Sequence, residues 1–327
     1  MELSDEKIGS ILSKYKLTLD TVLARQSGYR NKSHIVKLED SSKLNLIVYK
    51  SEPGIVERIK RVNRLSTSLA NSKLPIRIPL SNKIIEIKSA KTVHYASIYN
   101  YLGGDTIEWE AYSMKHIKLL GWTLAEFHNQ TANYVGTLPD ISTENYQIID
   151  RMSRYFTRQT IEDASLQKLK IRLTVDFDDL RKLVGELDQI NARQPLHLDF
   201  VRGNILFDKS SEHHSYKIGS IAVSGIIDLE KASFGHPVWD VGRTLAFLIV
   251  DCPKSTAKLF KYFVQSGYQK RGERHGDLPH LEQVIEFYLL YDLYKFLRDN
   301  PYEDLGQNHH YKQTRDELAM RNMLQYK

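Results

Sequence analysis

The chain has 327 residues, which at ~150 residues per domain corresponds to about two domains or lobes. Hydrophobic residues make up 41% of the chain and charged residues 26%, and 19 Tyr, 11 Phe and 3 Trp need a core to bury them, which excludes a chain that is disordered throughout. The net charge of +6 is mildly basic; it permits an anionic ligand such as a nucleotide and does not require nucleic acid.

The first hundred residues predict a small sheet with one internal helix. Residues 3–17 carry the periodicity of an amphipathic helix, and residues 22–54 alternate apolar and polar side chains between turn signals, as three short antiparallel strands would. A helix is predicted from Ile55 to Ala70, followed by two or three more strands within 73–102. We assign residues 1–101 to an amino-terminal lobe.

The remainder, residues 102–327, is predicted to form a larger, mainly helical lobe. A helical stripe includes Ile117 and His128, and further helices are predicted at 145–159, 163–191, 238–250, 255–270 and 281–299. Residues 194–230 are the exception, because they alternate short apolar strands with loops. The predicted fold class is therefore α+β with two lobes.

A polar loop lies between two apolar strands at 196–207. His197, Asp199 and Asn204 fit the pattern H-x-D-x-x-x-x-N, which is the order of a kinase catalytic loop. A carboxylate can accept the proton of an attacking hydroxyl, and an amide oxygen five residues later can turn back to bind a magnesium ion. The alternative is an ordinary polar loop in which Asn204 caps a turn.

A second carboxylate follows at the end of the next apolar strand. Asp228 comes 24 residues after Asn204, and Glu230 is two residues further on. Magnesium favours one or two carboxylates together with substrate phosphates, so Asp228 is a candidate ligand and Glu230 a possible second one. A simple strand-end cap at Asp228 would not explain the spacing from Asn204.

The segments HLDFVRGNILF (197–207) and GIIDLEKASFGHPVWDVGRTLAFL (225–248) resemble the aminoglycoside phosphotransferase and choline kinase family. Members have a protein-kinase-like fold, and their G-[DH]-P-x-x-D pattern is matched by Gly235, His236, Pro237 and Asp240. The resemblance implies that Asp240 holds the catalytic loop through backbone amides.

The resemblance also implies a reaction: the γ-phosphoryl group of ATP moves to a hydroxyl of a small molecule. Asp199 would be the catalytic base, facing the cleft and free of any tight ion pair, and His197 would brace the loop. Asn204 and Asp228 would hold Mg²⁺, with help from Glu230. Catalysis would come chiefly from positioning and charge neutralisation.

Nucleotide contacts are implied at two places in the amino-terminal lobe. Residues 98–104 resemble the hinge that binds the adenine edge through backbone groups, so Tyr101 and Leu102 are candidates by position. Gly28 lies in a short hairpin, 26–33, whose backbone amides could contact phosphates. An ordinary hairpin is nearly as good an interpretation of the second segment.

The cation expected on the third strand is missing. A kinase uses a Lys or Arg there to hold the α- and β-phosphates, paired with a helix Glu. The equivalent position is Ile47; Lys50 and Lys37 are the candidate replacements, and Glu57 is the candidate partner. This departure leaves room for a second function, a nucleotide-binding regulatory protein without turnover.

Two other functions fit the sequence less well. A nucleic-acid-binding protein would need a dense Lys/Arg stretch interleaved with aromatics, which the sequence lacks. A protein kinase would need an activation loop, but Gly235 arrives within ten residues of Asp228 and no A-P-E motif follows. The expected partners are ATP and a small-molecule hydroxyl acceptor.

The acceptor could be of the aminoglycoside, choline, sugar or amino-alcohol type. An aminoglycoside is a polycation and would call for an acidic pocket. The acidic residues that could supply one are Asp176, Asp178, Asp179, Glu303 and Asp304.

The single cysteine, Cys252, excludes an intrachain disulfide and favours a reducing compartment, so we expect a cytoplasmic protein. The N-terminal residues show no signal-peptide pattern, and the longest dense apolar stretch, Leu245–Val250, is far shorter than the ~20 residues of a membrane span. The oligomeric state stays open.

Overall fold

A computed structural model describes residues 3–27, 31–88, 92–162, 169–209, 216–272, 277–300 and 302–326. The strands are β1 (Leu19–Ser27), β2 (Lys32–Leu38), β3 (Lys43–Tyr49), β4 (Ile85–Lys88), β5 (Val93–Asn100), β6 (Ile171–Leu173), β7 (Gln194–Leu196), β8 (Ile205–Asp208), β9 (Lys217–Ile218), β10 (Ile221–Ile226), β11 (Ser233–Gly235) and β12 (Leu324–Tyr326). The helices are α1 (Asp5–Ser13), α2 (Ile55–Ser68), α3 (Met114–Thr131), α4 (Ile141–Glu162), α5 (Phe177–Asp188), α6 (Val238–Asp251), α7 (Thr256–Leu259), α8 (Gln269–Arg271), α9 (Leu281–Asp299), α10 (Tyr302–Leu305) and α11 (His309–Met320).

The first five strands form one antiparallel sheet in the order β1-β2-β3-β5-β4. Strand β3 is central, and side chains on both of its faces are buried. Leu46 and Val48 join the core under α1, while Ile47 and Tyr49 join a second cluster against α2. A strand alternates its side chains between two faces, so this near-continuous apolar run is what a doubly covered strand requires.

The later helices share one large hydrophobic core. Helices α6 and α9 pack against each other, and α3 packs against a π-helical segment, Phe260–Tyr268, that joins α7 to α8. Gly121 of α3 permits this crossing, because a Cβ there would lie 2.1 Å from the Phe263 carbonyl oxygen. Close approach of the two backbones places the Tyr268 hydroxyl beside the side chain of His128 of α3.

Short paired strands flank the loops 197–204 and 227–232, and one isolated bridge joins them to the amino-terminal lobe. Strand β8 pairs with β10, and β7 pairs with β11. Residues 197–204 connect β7 to β8, and residues 227–232 connect β10 to β11, so each loop is held by paired strands at both ends. Ile76, between α2 and β4, forms a parallel bridge with Ile226 at the end of β10. The Arg77 N–H donates to the Ile226 carbonyl at 3.1 Å, so this connection lies directly against the strand that ends before Asp228.

Two predicted elements differ from the sequence expectation. Residues 73–80 make isolated bridges in place of a full strand, because Pro75 and Pro79 lack the N–H that a continuous ladder needs. In the predicted helix 163–191, helix begins at Phe177, where the Asp176 side chain accepts from the Asp178 N–H, and Ile171–Leu173 instead pairs with β12. Residues 163–168 lie outside the described part.

The predicted fold class is confirmed: an antiparallel sheet lobe with helices α1 and α2 adjoins a mainly helical lobe. The lobe boundary at Leu102 stays a prediction. None of the helices in the described part of the chain has an apolar stretch of the length that crosses a bilayer.

Candidate active site

The sheet lobe and the loops after β7 and β10 enclose a cavity of about 410 Å³. Asp199, Asn204, Asp228 and Glu230, four of the residues predicted from sequence, line it together. The opposite wall comes from the sheet and includes Ile47 and Tyr49 among other residues. Side chains 31 residues apart in the chain thus face a single space of a size suited to a small ligand.

The carboxylate of Asp240 fixes the loop that carries Asp199. Its Oδ2 accepts the backbone N–H of His197 at 2.6 Å, and its Oδ1 accepts the N–H of Leu198 at 2.7 Å. Leu198 has a φ of +57°, a strained conformation for a branched residue that these two bonds help to impose. The expectation that Asp240 holds the loop through backbone amides is confirmed.

A buried chain of hydrogen bonds supports Asp240 from behind. His128 Nε2 lies 3.0 Å from Asp240 Oδ2, and His128 Nδ1 lies 2.6 Å from the Tyr268 hydroxyl. These partners imply that Nε2 carries the proton and that Nδ1 accepts from the tyrosine. Burial alone would raise the pKa of Asp240, but the hydrogen bond and the charge of His128 lower it by more. The pKa of Asp240 is therefore below its ordinary value, and the carboxylate stays ionised.

His197 supports the loop from a fully buried position. Its Nδ1 accepts the backbone N–H of Asp199 at 3.2 Å, and burial lowers the pKa of the ring, which keeps it neutral. The ring packs edge-on against Phe127 and Phe200. This placement fits the bracing role that the sequence predicts for His197.

Asn204 points its amide across the loop. Nδ2 donates to the backbone carbonyl of Asp199 at 2.9 Å and to Asp199 Oδ2 at 3.1 Å. Because the amide nitrogen is committed to Asp199, the other end of the amide presents Oδ1, the atom that could coordinate a metal. The Asn204 carbonyl also accepts the N–H of Ile227 at 3.0 Å, which fixes its distance from the Asp228 loop.

Asp228 adopts a strained backbone conformation at the end of β10. Its φ is +63°, and Asp tolerates this left-handed region better than most residues. Its Oδ1 accepts the Glu230 N–H at 3.3 Å, and the side chain is exposed at the cavity wall. Strain of this kind is concentrated at ligand sites, where it aims a side chain that an unstrained turn would point elsewhere.

The expectation that Asp199 is free of tight ion pairs is wrong. Lys231 Nζ lies 2.6 Å from Asp199 Oδ1, and Arg243 Nη2 lies 4.0 Å from the same oxygen. The Asp199 side chain is only 16% exposed, so its charge needs nearby compensation. Burial acts to raise the pKa of Asp199, but the charges of Lys231 and Arg243 outweigh it and lower the pKa.

Glu230 contacts the amino-terminal lobe. Its carboxylate accepts a hydrogen bond from Asn31 Nδ2, and Asn31 Oδ1 accepts the Lys50 N–H at 3.3 Å. Asn31 therefore links the start of β2 to the end of β3 and to the Asp228 loop. This contact gives Glu230 a structural role beside the metal-binding role predicted from sequence.

The two predicted nucleotide segments have different outcomes. Tyr101 and Leu102 follow β5 directly and are half-buried, but the described lining of the cavity does not include them, so their nucleotide contact stays a prediction. Gly104 anchors the segment: at φ +97° its Cβ would lie 2.7 Å from the Phe207 carbonyl oxygen. Gly28 lies outside the described residues.

The side chains of β3 that line the cavity carry no charge, as expected from Ile47 at the position where a kinase has a cation. Tyr49 follows on the same face, and its hydroxyl lies 2.5 Å from that of Tyr99, which donates to Asn63 Oδ1 of α2 at 2.8 Å. Burial raises the pKa of both tyrosines, so this chain is neutral. A neutral hydrogen-bonded chain thus connects β3 to α2, where a kinase places its Lys–Glu pair.

The candidate replacement cations lie elsewhere. Lys50 is exposed and does not line the described cavity, and the expected pair with Glu57 is wrong, because Glu57 pairs with Lys60 of its own helix at 2.7 Å. Lys37 pairs with Asp20 on the surface at 2.8 Å. Neither lysine supplies a charge to the cavity.

Sequence reasoning missed three cations at the site. Lys231 directly follows the Asp228–Glu230 motif, and Arg243 lies three residues after Asp240, one helical turn along α6, so adjacency could have indicated both. Arg77 also lines the cavity. Its only sequence signal is a lone charge within the apolar run LPIRIPL.

The predicted acidic candidates do not gather at the cavity. Asp176 caps α5, Asp178 pairs with Arg181 at 2.7 Å, and Asp179 lines a second, separate cavity of about 360 Å³. In the described residues no group of three His, Cys, Asp or Glu side chains is placed to hold a metal ion. The side chain of Glu303 is outside the described part.

The chain matches the model of a family described as "Phosphotransferase enzyme family" over residues 21–272. No curated protein sequence matches the chain significantly.

Solved structures show the same fold at low sequence identity. An amicoumacin kinase in complex with AMP-PNP, Ca²⁺ and its ligand is 13% identical, with a TM-score of 0.59 over 96% of this chain and 94% of the other. A GDP complex of an aminoglycoside 2'-phosphotransferase is 15% identical, with a TM-score of 0.62 over 95% and 97%. A microcompartment-associated aminopropanol kinase is 13% identical, with a TM-score of 0.57 over 96% and 98%.

Proposed function

Because the chain belongs to the phosphotransferase enzyme family, we propose that it transfers the γ-phosphoryl group of ATP to a hydroxyl group of a small molecule. The observation that carries this proposal is the convergence of Asp199, Asn204 and Asp228 on one cavity, with the loop of Asp199 fixed by Asp240.

Asp199 would orient the acceptor hydroxyl. Its carboxylate lies at the cavity wall and is held by the Asn204 amide and by Lys231. Because its pKa is lowered, Asp199 is ionised at neutral pH and is a weak base. It would therefore accept the hydroxyl proton late, as the new oxygen–phosphorus bond forms, which suits the loose transition state of phosphoryl transfer.

The donor set fits a magnesium ion. Asp228 offers a carboxylate and Asn204 an amide oxygen, and Mg²⁺ is commonly bound by one or two carboxylates with substrate phosphates completing its ligands. Bound there, it would neutralise phosphate charge as that charge shifts during transfer.

The structural support of the loop supplies the positioning that this reaction needs. Three hydrogen bonds converge on the Asp240 carboxylate, from His197 N, Leu198 N and His128 Nε2. They fix the Asp199 backbone before substrate binds, so less ordering is required at the transition state.

The acceptor class is tested by screening. ADP release from ATP would be measured against a panel containing aminoglycosides, choline, sugars and amino alcohols, with water as the background acceptor. Transfer is established when one acceptor raises ADP release and the phosphorylated product is detected by mass spectrometry. Asp199→Asn serves as the inactive control in the same screen.

A second candidate function is nucleotide binding without turnover. The apolar cavity face of β3, at Ile47 and Tyr49, favours it, because the expected phosphate-binding cation is not on that strand. Single-turnover measurement with γ-labelled ATP separates the two functions. Binding of ATP with no label transferred to any acceptor or to water would favour the regulatory function.

A further inference from the structure

We propose that Arg77 supplies the positive charge that holds the phosphates of the bound nucleotide. This assignment rests on the proposed function. It names the residue that replaces the phosphate-binding cation expected on β3. Arg77 lies on the connection between α2 and β4, outside the strands of the sheet.

Strand β3 cannot place a cation in the cavity. Its cavity-facing side chains are Ile47 and Tyr49, and the next residue, Lys50, has the opposite strand parity and is exposed. Tyr49 is further occupied by the Tyr99 hydroxyl at 2.5 Å. A charge that reaches the nucleotide must therefore come from another element.

Arg77 has the required placement. Its backbone N–H donates to the Ile226 carbonyl at 3.1 Å, two residues before Asp228, and its side chain lines the cavity that also contains Asp199 and Asn204. The guanidinium is close enough to Asp228, Tyr49 and Tyr99 for all three to act on it electrostatically.

Asp228 acts on the guanidinium through its charge, but the two side chains form no ion pair in the described part of the chain. Arg77 Nε is shielded from solvent without a hydrogen-bond partner, and no ion pair joins Arg77 to another residue in the described chain. Two of its neighbours, Tyr49 and Tyr99, are neutral. A guanidinium Nε that is shielded from solvent without a partner is costly, whereas a phosphate accepts paired N–H donors from the planar guanidinium. An anionic ligand in this cavity would satisfy it.

The other described cation at the cavity wall has a different role. Lys231 Nζ is 2.6 Å from Asp199 Oδ1, and the charge of Asp199 competes with any phosphate for it. Lys231 therefore belongs to the acceptor side of the cavity, and Arg77 to the side of Asp228.

The test compares ligands with and without phosphate. The dissociation constants of ADP and adenosine are measured by calorimetry on the full chain, without Mg²⁺, for the wild type, Arg77→Gln and Arg77→Lys. Loss of a charged hydrogen bond typically weakens binding by roughly 10- to 100-fold, so Arg77→Gln should weaken ADP binding by about that factor. Adenosine binding should stay within about twofold, and Arg77→Lys should recover part of the ADP affinity.

Two further variants sharpen the comparison. Lys73→Gln removes an exposed charge from the same connection and should leave both constants unchanged. Lys231→Gln removes the other described cation of the cavity wall, and its loss of ADP affinity should be smaller than that of Arg77→Gln. If thermal unfolding shows that Arg77→Gln does not fold, the prediction is tested with Arg77→Lys. This variant should lose ADP affinity severalfold and keep the adenosine affinity of the wild type.

The outcomes separate this proposal from the proposed function. A wild-type protein that binds neither ATP nor ADP would reject the proposed function itself. Wild-type turnover together with an unchanged ratio of ADP to adenosine affinity in the Arg77 variants would reject Arg77 alone. A large loss of ADP affinity in Lys231→Gln, with none in Arg77→Gln, would assign the phosphate contact to Lys231 and overturn the proposal.

Discussion

The ammonium nitrogen of Lys231 lies 2.6 Å from Oδ1 of Asp199, so the carboxylate at the centre of the candidate active site is ion-paired. Asn204 Nδ2 binds the other carboxylate oxygen at 3.1 Å. Both oxygens of Asp199 therefore have a partner on the protein, and an acceptor hydroxyl must share one of them. This arrangement controls both the basicity and the orientation of Asp199, and its consequences can be measured.

Replacement of Lys231 should shift the acidic limb of the pH–rate profile. Lys231 and Arg243 lower the pKa of Asp199, so in the wild type kcat/KM should fall only below the ordinary aspartate range. Lys231→Gln removes one of these charges, so the pKa of Asp199 should rise and the acidic limb should move to higher pH. Lys209→Gln, an exposed lysine beyond β8, is the control, and an unmoved limb in Lys231→Gln would contradict the assignment.

The same pair predicts how stability depends on pH. Asp199 has a folded-state pKa below its unfolded value, so its ionised form stabilises the fold above the ordinary pKa near 4. That contribution is lost as the pH falls through the lowered folded-state value. Urea unfolding would be measured between pH 3 and 7. The free energy of unfolding should fall less with decreasing pH in Asp199→Asn than in the wild type. If the free energies of both proteins change with pH in parallel, Asp199 makes no such contribution.

Asp199→Asn should lower the rate of the chemical step strongly and change the thermal stability little. Removal of a positioned base typically costs ~10²–10⁴-fold in rate, so a loss of at least about 100-fold is expected, with ATP affinity little changed. Single-turnover rates and thermal unfolding would be measured on the same preparation. A destabilised variant with a normal rate per folded molecule would show that Asp199 only stabilises the turn.

Asp228→Asn should abolish turnover and leave the fold intact. Asn tolerates a φ of +63° as Asp does, whereas Asp228→Ala would add backbone strain to the loss of charge. In the wild type, Mg²⁺ should raise the melting temperature when ATP is present, and Asp228→Asn should lose that increment. Undiminished turnover in Asp228→Asn would refute the assignment of Asp228 to metal.

Glu230→Gln separates the two roles of Glu230. A glutamine oxygen can still accept from Asn31 Nδ2, so a purely structural Glu230 predicts a wild-type Mg²⁺ requirement in this variant. A metal ligand predicts a higher Mg²⁺ concentration at half-maximal rate. Since the carboxylate already contacts Asn31, we expect the wild-type requirement, with a titration of rate against Mg²⁺ as the measurement.

Tyr268→Phe should loosen the catalytic loop from a distance. It removes the hydroxyl that lies 2.6 Å from His128 Nδ1 and leaves a buried acceptor unpaired, which typically costs about 1–3 kcal/mol of unfolding free energy. A looser His128 holds Asp240 less firmly, so kcat should fall while the KM for ATP stays constant. Tyr262→Phe, a partly exposed tyrosine of the same π-helical segment, is the matched control. A drop in stability with unchanged kcat would confine Tyr268 to packing.

The sequence by itself determined the local order of the site. The spacing of His197, Asp199 and Asn204 requires only one short loop between two apolar strands, and the apolar run before Asp228 predicts where β10 ends. Alternating apolar residues likewise predicted β1 to β3, because a strand imposes a period of two on its own side chains. These features depend on neighbours in the chain, so a single sequence carries them.

Only the tertiary structure decided which charges meet. Lys231 reaches Asp199 across 32 residues, Asn31 reaches Glu230 across 199, and Arg77 enters the cavity because its connection pairs with Ile226. Lysine and arginine have long side chains, and their sequence neighbours do not specify which carboxylate they approach. Burial supplies the remaining reason: Asp199 is shielded enough to require a counter-charge, and that shielding arises from the packing of both lobes around the cavity.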